Sequence, residues 1–449
     1  MTTLIGSKEM LKTISAEAAL LQRSTSAVDA ETLQQAAQII DQVRAGGEQS
    51  LREFVAKYDR RAVDQPKIRR ASGIIPEVLE NKRGADQPLV LSLSHCKAAL
   101  ETLPVTDVEL LRRVAQRIET FAKAQLATLR PMELAIQGGM AGQNFFPLSS
   151  AGCYVPGGRY PLVSSLLMTA VTARAAGVGE VWVACPAPSP VMLAAAAIAG
   201  VDGFLVAGGA HAIAALAYGI GGPPRCDAVV GPGNRWVTAA KQLVAADVRI
   251  DMLAGPSELL LVADESADPT TVAADLLAQA EHDVDARPML IAATAELVTR
   301  VNEAIARQME TLATADVARI ALQAGFAVVA SDADTIVQLC QAIAPEHLEL
   351  HLKAPLAIVP RLTRCGCLFI GSGSAEVLGD YGAGPNHVLP TGGTARFASG
   401  LSVETFLRRQ TWLRIDDLPA AQSLVDDTVQ LANWEGLVGH AISAQRRQK

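Results

Sequence analysis

The stretch Asp275-Leu-Leu-Ala-Gln-Ala-Glu-His-Asp283 closes an apolar helical run with Gln279 and His282 three residues apart. At that spacing both side chains leave the same helix face. An imidazole beside an amide oxygen is half of a site for a borderline divalent metal such as zinc, and His347, Asp380, His387 and His440 offer further ligand types downstream. On its own a Gln-x-x-His pair is more often a polar rim than a metal clamp. Pro345-Glu-His-Leu-Glu-Leu350 sets Glu346 beside His347 where an apolar helix gives way to a strand-like run. A carboxylate and an imidazole together can activate water or take a hydroxyl proton near neutral pH. His351, just beyond this run, reads as surface. The loop from Gly379 to Pro390 carries Asp380 and His387, and a long loop with polar groups is more often functional than filler. Glu435 and His440, taken alone, read as a solvated helix face.

Two Gly-rich turns, Gly152-Cys-Tyr-Val-Pro-Gly-Gly158 and Val230-Gly-Pro-Gly-Asn-Arg-Trp236, each lead into a helix. At the carboxyl ends of strands in a doubly wound sheet, free helix amides meet phosphate. Neither turn matches G-x-G-x-x-G, so the residues alone give a weak dinucleotide signal, and tight turns account for the glycines equally well.

The elements that must hold these groups follow from periodicity. Residues 1 to about 30 are polar and helical in pattern. Helical spacing runs from Ala30 to Tyr58, with a stop at Arg44-Ala-Gly-Gly47, and a long amphipathic helix runs from Asp107 to Arg130. After about Phe146 helices and strands alternate. Strands are expected at Glu180–Cys185, Gly203–Ala207, Asp227–Val230, Glu258–Val262, Met289–Ala293, Phe326–Ala330 and Cys367–Gly371. Such alternation with short Gly-rich links implies parallel sheets covered on both faces. The expected fold is α/β, with two doubly wound, incomplete Rossmann-like parallel-sheet domains and small helical N- and C-terminal appendages. The expected partition is 1–30 as N-terminal appendage, 31–145 with 255–396 as the domain carrying metal and catalytic residues, 146–254 as the NAD-side domain, and 397–449 as a C-terminal appendage packing on a partner subunit.

Composition agrees with that class. The chain has 449 residues, half of them apolar but only 4% aromatic, so small side chains carry the packing. A net charge of -7 leaves no basic stripe for nucleic acid. Residues 203–222 are apolar apart from His211 but are broken by four glycines, which fits a buried strand and helix better than a membrane span. The seven cysteines are odd in number and have no disulfide-framework spacing, and Cys365-Gly-Cys367 reads as packed thiols. The N-terminus has no basic-then-apolar signal pattern, so a cytoplasmic protein is expected.

In combination and in order, Gly152 to Gly158, Gly208-Gly209-Ala210, Gly231 to Asn234, Ile250 to Glu258, Gln279 to His282, Pro345 to Leu350 and Asp380 to Thr391 resemble the histidinol dehydrogenases over nearly the whole chain. The resemblance implies a zinc-dependent homodimer that oxidises L-histidinol to L-histidine through the aldehyde, using NAD twice. It implies Gln279, His282, Asp380 and His440 as metal ligands, with Glu346 and His347 as the acid-base pair. It also implies Ser257, His387 and Glu435 as substrate contacts, with Glu435 and His440 supplied by the partner subunit. Tyr154, His211 and Asn234 match NAD-contacting positions, and here the chain departs from the family, which usually has glutamine at position 211. The segment from Arg159 to Ser165 also departs, and paralogues that oxidise other small alcohols, such as sulfopropanediol dehydrogenase, resemble it there. Glu435 favours a cationic amino alcohol over a sulfonate. A non-enzymatic binding protein fits poorly with a full acid-base and ligand set.

Overall fold

The computed structural model describes residues 10–21, 28–59, 88–157 and 162–447. Among them are two six-stranded sheets and one three-stranded sheet. The first large sheet has the order β2-β7-β6-β5-β8-β9, from β2 (Val90–Ser92), β5 (Ser150–Tyr154), β6 (Glu180–Ala184), β7 (Gly203–Leu205), β8 (Ala228–Val230) and β9 (Arg249–Ile250). All its pairings are parallel except that of β2 with β7. The second has the order β1-β12-β11-β10-β13-β14 and is wholly parallel. Its strands are β1 (Lys12–Ile14), β10 (Glu258–Ala263), β11 (Arg287–Ala292), β12 (Phe326–Val329), β13 (His347–His351) and β14 (Cys367–Ile370). Every residue of β10 and β13 is buried. A strand covered on both faces needs the continuous apolar run that Glu258-Leu-Leu-Leu-Val-Ala263 supplies.

Helices cover each sheet twice. On the second sheet α9 (Pro269–Ala280), α10 (Ala295–Met309) and α11 (Ala315–Ala324) share one core, and α1 (Ala16–Leu20) and α12 (Ala333–Ile343) share the other. On the first sheet α3 (Leu93–Thr102), α4 (Val105–Thr128), α5 (Val163–Ala175) and α6 (Pro190–Ala199) pack on one face. The other face takes α2 (Ala30–Tyr58), α7 (Gly209–Tyr218) and α8 (Arg235–Val244). The expected stop near Gly47 is a kink within α2, where Gly47 adopts φ 62°, ψ -142°, a conformation open to glycine at little cost.

Two parts of the expected partition are corrected. Residues 31–145 do not join 255–396: the buried stripe of α2, including Ala36, Ile40, Val43 and Phe54, packs with Leu205 and Ile213 of the first sheet's layer, and β2 extends that sheet. Periodicity shows that a helix has an apolar face but not which sheet the face meets. The N-terminal segment is no appendage either, because Lys12–Ile14 pairs with β12 and Ala19 sits in the second sheet's core. The region from Phe397 onward is not all helical. β15 (Leu407–Ile415) pairs antiparallel with β4 (Gly139–Pro147), which pairs with β3 (Met132–Ile136). β3 and β15 are largely exposed and β4 mostly half-buried, and none shows the alternation of a strand with one buried face. A short helix, α13 (Glu376–Asp380), precedes β15, and α14 (Gln422–Trp434) and α15 (Val438–Gln445) end the described chain. All seven cysteines are free thiols, five of them buried.

Candidate active site

α9 ends at Ala280, leaving Gln279 fully buried in its last turn and His282 just beyond, at the side of the second sheet where its strands begin. His347 is the first residue of β13, and Glu346 precedes it. α13 brings Glu376 and Asp380 to the same place at i, i+4. The His282 Nε2 atom lies 3.4 Å from Asp380 Oδ2 and 4.0 Å from Glu376 Oε1. The imidazole of His347 presents Nε2 to Asp380 Oδ1 at 3.9 Å. Sequence reasoning missed Glu376. Its signal was the Glu-x-x-x-Asp spacing, which puts a second carboxylate one turn before Asp380.

The protonation states follow from packing. Nδ1–H of His347 donates to the Glu258 carbonyl at 3.1 Å, so its Nε2 keeps the lone pair. Burial pushes this imidazole down to about 4, which leaves it neutral at physiological pH. Glu346 accepts the Glu258 N–H at 2.9 Å, while burial holds its carboxyl well above the usual range. Burial works to raise Asp380 too, but His282, His387 and His347 around it hold it below the ordinary value. His387 donates Nδ1–H to the Asp380 carbonyl at 2.9 Å and accepts from the Ser165 hydroxyl at 3.0 Å. That pair ties the 379–390 loop to α5 of the other sheet. Ser257 is half-buried at the start of β10, its carbonyl accepting the Arg287 N–H at 2.9 Å.

A divalent metal fits the donor set. Both amide atoms of Gln279 and both carboxylate oxygens of Glu376 are buried with no hydrogen-bond partner, and ligand atoms of His282, Glu376 and Asp380 lie within 4.8 Å of one another. Buried polar atoms left unpaired cost free energy that a cation recovers. His440 on α15 and Glu435 at the end of α14 are exposed and make no ion pair with this cluster among the described residues. One chain therefore assembles Gln279, His282, Asp380, Glu346, His347 and His387 but not these two.

His351 is not surface. It is 1% exposed, and its Nε2–H donates to Glu349 Oε1 at 2.7 Å and faces Asp275 Oδ2 at 3.6 Å. The two-residue period of β13 puts His347, Glu349 and His351 on one face, opposite Asp275 and Gln279 of α9. Burial, then the Glu349 charge, pushes Asp275 up to about 7. A carboxyl whose folded value is raised favours folding below its unfolded value and loses that contribution as pH rises toward 7. Asp275→Asn should therefore gain stability relative to the wild type between about pH 4 and 7, at up to about 1.4 kcal/mol per pH unit. Urea midpoints across that range check it, and parallel curves would contradict the assignment.

The NAD-matching residues sit at the other large sheet, where its strands end. The Tyr154 hydroxyl, at the end of β5, accepts the Gly209 N–H at 3.2 Å. His211 is buried in α7, with Nε2 3.1 Å from Asp59 Oδ2, which also accepts the Gly208 N–H. Asn234 caps α8 by accepting the Trp236 and Val237 N–H groups. Gly158 and the stretch from Arg159 to Pro161 lie outside the described residues. No described helix is long and apolar enough to cross a membrane.

The histidinol dehydrogenase family model matches residues 21–448. The chain is 47% identical over 355 residues to the histidinol dehydrogenase of Thermus thermophilus, covering 78% of this chain and 85% of that protein. It is 40% identical over 425 residues to that of Methylococcus capsulatus, covering 93% and 92%. The crystal structure of histidinol dehydrogenase from Elizabethkingia anophelis superposes with a TM-score of 0.86 at 26% identity, covering 98% of both chains. Every candidate residue from Tyr154 to His440 falls inside the matched span, and the chain belongs to the histidinol dehydrogenase family.

Proposed function

We propose that the protein oxidises L-histidinol to L-histidine through L-histidinal, with two NAD and one zinc ion per subunit, as a cytoplasmic homodimer. The observation that carries this reading is the free Nε2 lone pair of His347, aimed at the His282–Asp380 pair with Nδ1 committed to a backbone carbonyl. Gln279, His282 and Asp380 would hold the metal, with His440 from a second copy. When bound, the ion supplies a Lewis acid that orients the nitrogen donors of an amino alcohol. His347, neutral and buried, takes the hydroxyl proton as hydride leaves for NAD. Glu346 helps activate the water that hydrates the aldehyde for the second oxidation. Ser257 and His387 line the substrate side, and Tyr154, His211 and Asn234 the NAD side. The paralogue reading, with another small alcohol such as sulfopropanediol, is not favoured by relatives that are themselves named histidinol dehydrogenase. NADH absorbance with L-histidinol, L-histidinal and sulfopropanediol tests the choice, and turnover of sulfopropanediol alone would overturn it.

The dimer reading rests on the C-terminal helices, where Trp434, Leu437, Val438 and Ile442 are exposed around Glu435 and His440. An isologous dimer would bury that face and place His440 in the neighbouring site. Mixing inactive His347→Ala and His440→Ala subunits should then restore roughly a quarter of wild-type activity, because half of the dimers formed at random carry one intact site. No recovery after verified subunit exchange would place each site within one chain.

A further inference from the structure

In the chain between Asn234 and Ser257 lies a buried ion pair that neither half of the proposed site includes. Lys241, on the inner face of α8, pairs with Asp251, the residue after β9, and the two side chains are 2% and 0% exposed. Both grip the same residue. The Lys241 ammonium donates to the Gly231 carbonyl at 2.9 Å, and Asp251 Oδ2 accepts the Gly231 N–H at 2.7 Å. Gly231 leaves β8 at φ 116°, and a Cβ there would collide with the Tyr154 carbonyl. The clamped glycine thus lies against Tyr154 and three residues before Asn234.

Asp251 also faces the other way. Its Oδ1 accepts the Met252 N–H at 2.8 Å, fixing the first residue of the crossing to the second sheet. That crossing is pinned again where Thr238 of α8 donates to the Ala254 carbonyl at 2.9 Å and where the Gly255 N–H donates to Thr391 at 2.5 Å. Two residues after Gly255 comes Ser257, followed by Glu258, whose backbone holds both Glu346 and His347.

We infer that Lys241 and Asp251 are positioning residues that set the register between the NAD-side loop and the loop carrying the substrate-side residues. The inference rests on the proposed function, because a register matters only if a hydride crosses between the two loops. Hydride transfer needs donor and acceptor near contact, and a misplacement of about 1 Å costs roughly 10²-fold in rate. Removing one partner alone would leave an uncompensated buried charge, so the test replaces both with neutral groups of similar shape.

The Lys241→Met/Asp251→Asn double variant is measured as the metal-loaded dimer. Its kcat for L-histidinol at saturating NAD is expected to fall by about 10²-fold, while metal content and the KM for L-histidinol stay within about twofold of wild type. A pair with a purely structural role would lower the melting temperature and leave kcat of the folded enzyme unchanged, and that result overturns the inference. If the double variant does not fold, Thr238→Val loosens the same crossing more gently and is expected to lower kcat by about threefold or more; an unchanged kcat there also overturns it. A wild type that does not reduce NAD with L-histidinol refutes the proposed function, whereas an active wild type with unaffected variants refutes this inference alone.

Discussion

His347→Ala should slow the oxidation of L-histidinol and of L-histidinal alike, by the roughly 10²- to 10⁴-fold typical of a general acid-base group. The expectation follows from the geometry of one imidazole. Its Nδ1–H is held by the Glu258 carbonyl, so Nε2 has a fixed direction and a free lone pair, and burial keeps the ring neutral down to about pH 4. Both half-reactions release a proton from an oxygen, so both need this base. Glu346 has a different setting. Its Oε2 accepts the Glu258 N–H and lies 3.8 Å from His347 Nδ1, on the side of the ring away from the proton-accepting nitrogen. Glu346→Gln should therefore slow the aldehyde step more than the alcohol step, because only the aldehyde step requires an attacking water. The comparison is made at saturating zinc in single-turnover mixing with each substrate. Equal slowing of both steps by Glu346→Gln would mean that the pair titrates and acts as one unit.

Stripping the metal should have a comparably large effect, with activity lost by about 10³-fold or more and restored by zinc. The same ion should register in stability. Glu376, with a fully buried side chain, and Asp380 stand together near His282, and Gln279 has no partner for either amide atom. Without a cation these groups are buried polar atoms held at a cost. A ligand at 100 times its Kd stabilises the folded state by about 2.7 kcal/mol, so zinc should raise the melting temperature of the wild-type protein measurably. His282→Ala should fold, hold no metal on elemental analysis, and show no such rise. Full zinc occupancy in His282→Ala would remove this residue from the ligand set.

Most strands of the parallel-sheet modules were legible in the sequence because they are short, mainly apolar runs with a helical period following, as in Ala228-Val-Val230. The association of those modules was not legible. α2 carries an apolar stripe that fits either sheet, and only the packed structure assigns it to the first. β3 and β15 escaped because strands exposed over most of their length need no hydrophobic pattern, and β4 because it is half-buried without a buried face that alternates. Gln279 and His282 stood out by residue type and spacing, with the full ligand set coming only from the family resemblance, whereas His351 was read as surface because it lies just beyond the strand-like run, although the two-residue period of Glu-His-Leu-Glu-Leu-His carries through it. That alternation, with leucines at 348 and 350, is the pattern of a strand whose two faces meet different partners. Asp59 escaped for another reason: its partner His211 is 152 residues away in sequence, and no local pattern joins them.

The seven free thiols have a consequence for the aldehyde that the proposed reaction passes through. Burial raises every one of them, to about 11 for Cys96, Cys365 and Cys367 and to about 12 for Cys153, Cys185 and Cys340, with Cys226 higher still. A thiol attacks carbonyl carbon, alkylating agents and peroxide as its thiolate, and at neutral pH this chain offers almost none. Cys367 is the nearest in sheet register to His347, as its direct neighbour on β14, yet it stays protonated like the rest. In the proposed reaction, an aldehyde formed beside His347 would meet a protonated thiol rather than a thiolate at this neighbour. The same property should make the protein a slow target for alkylating electrophiles at neutral pH.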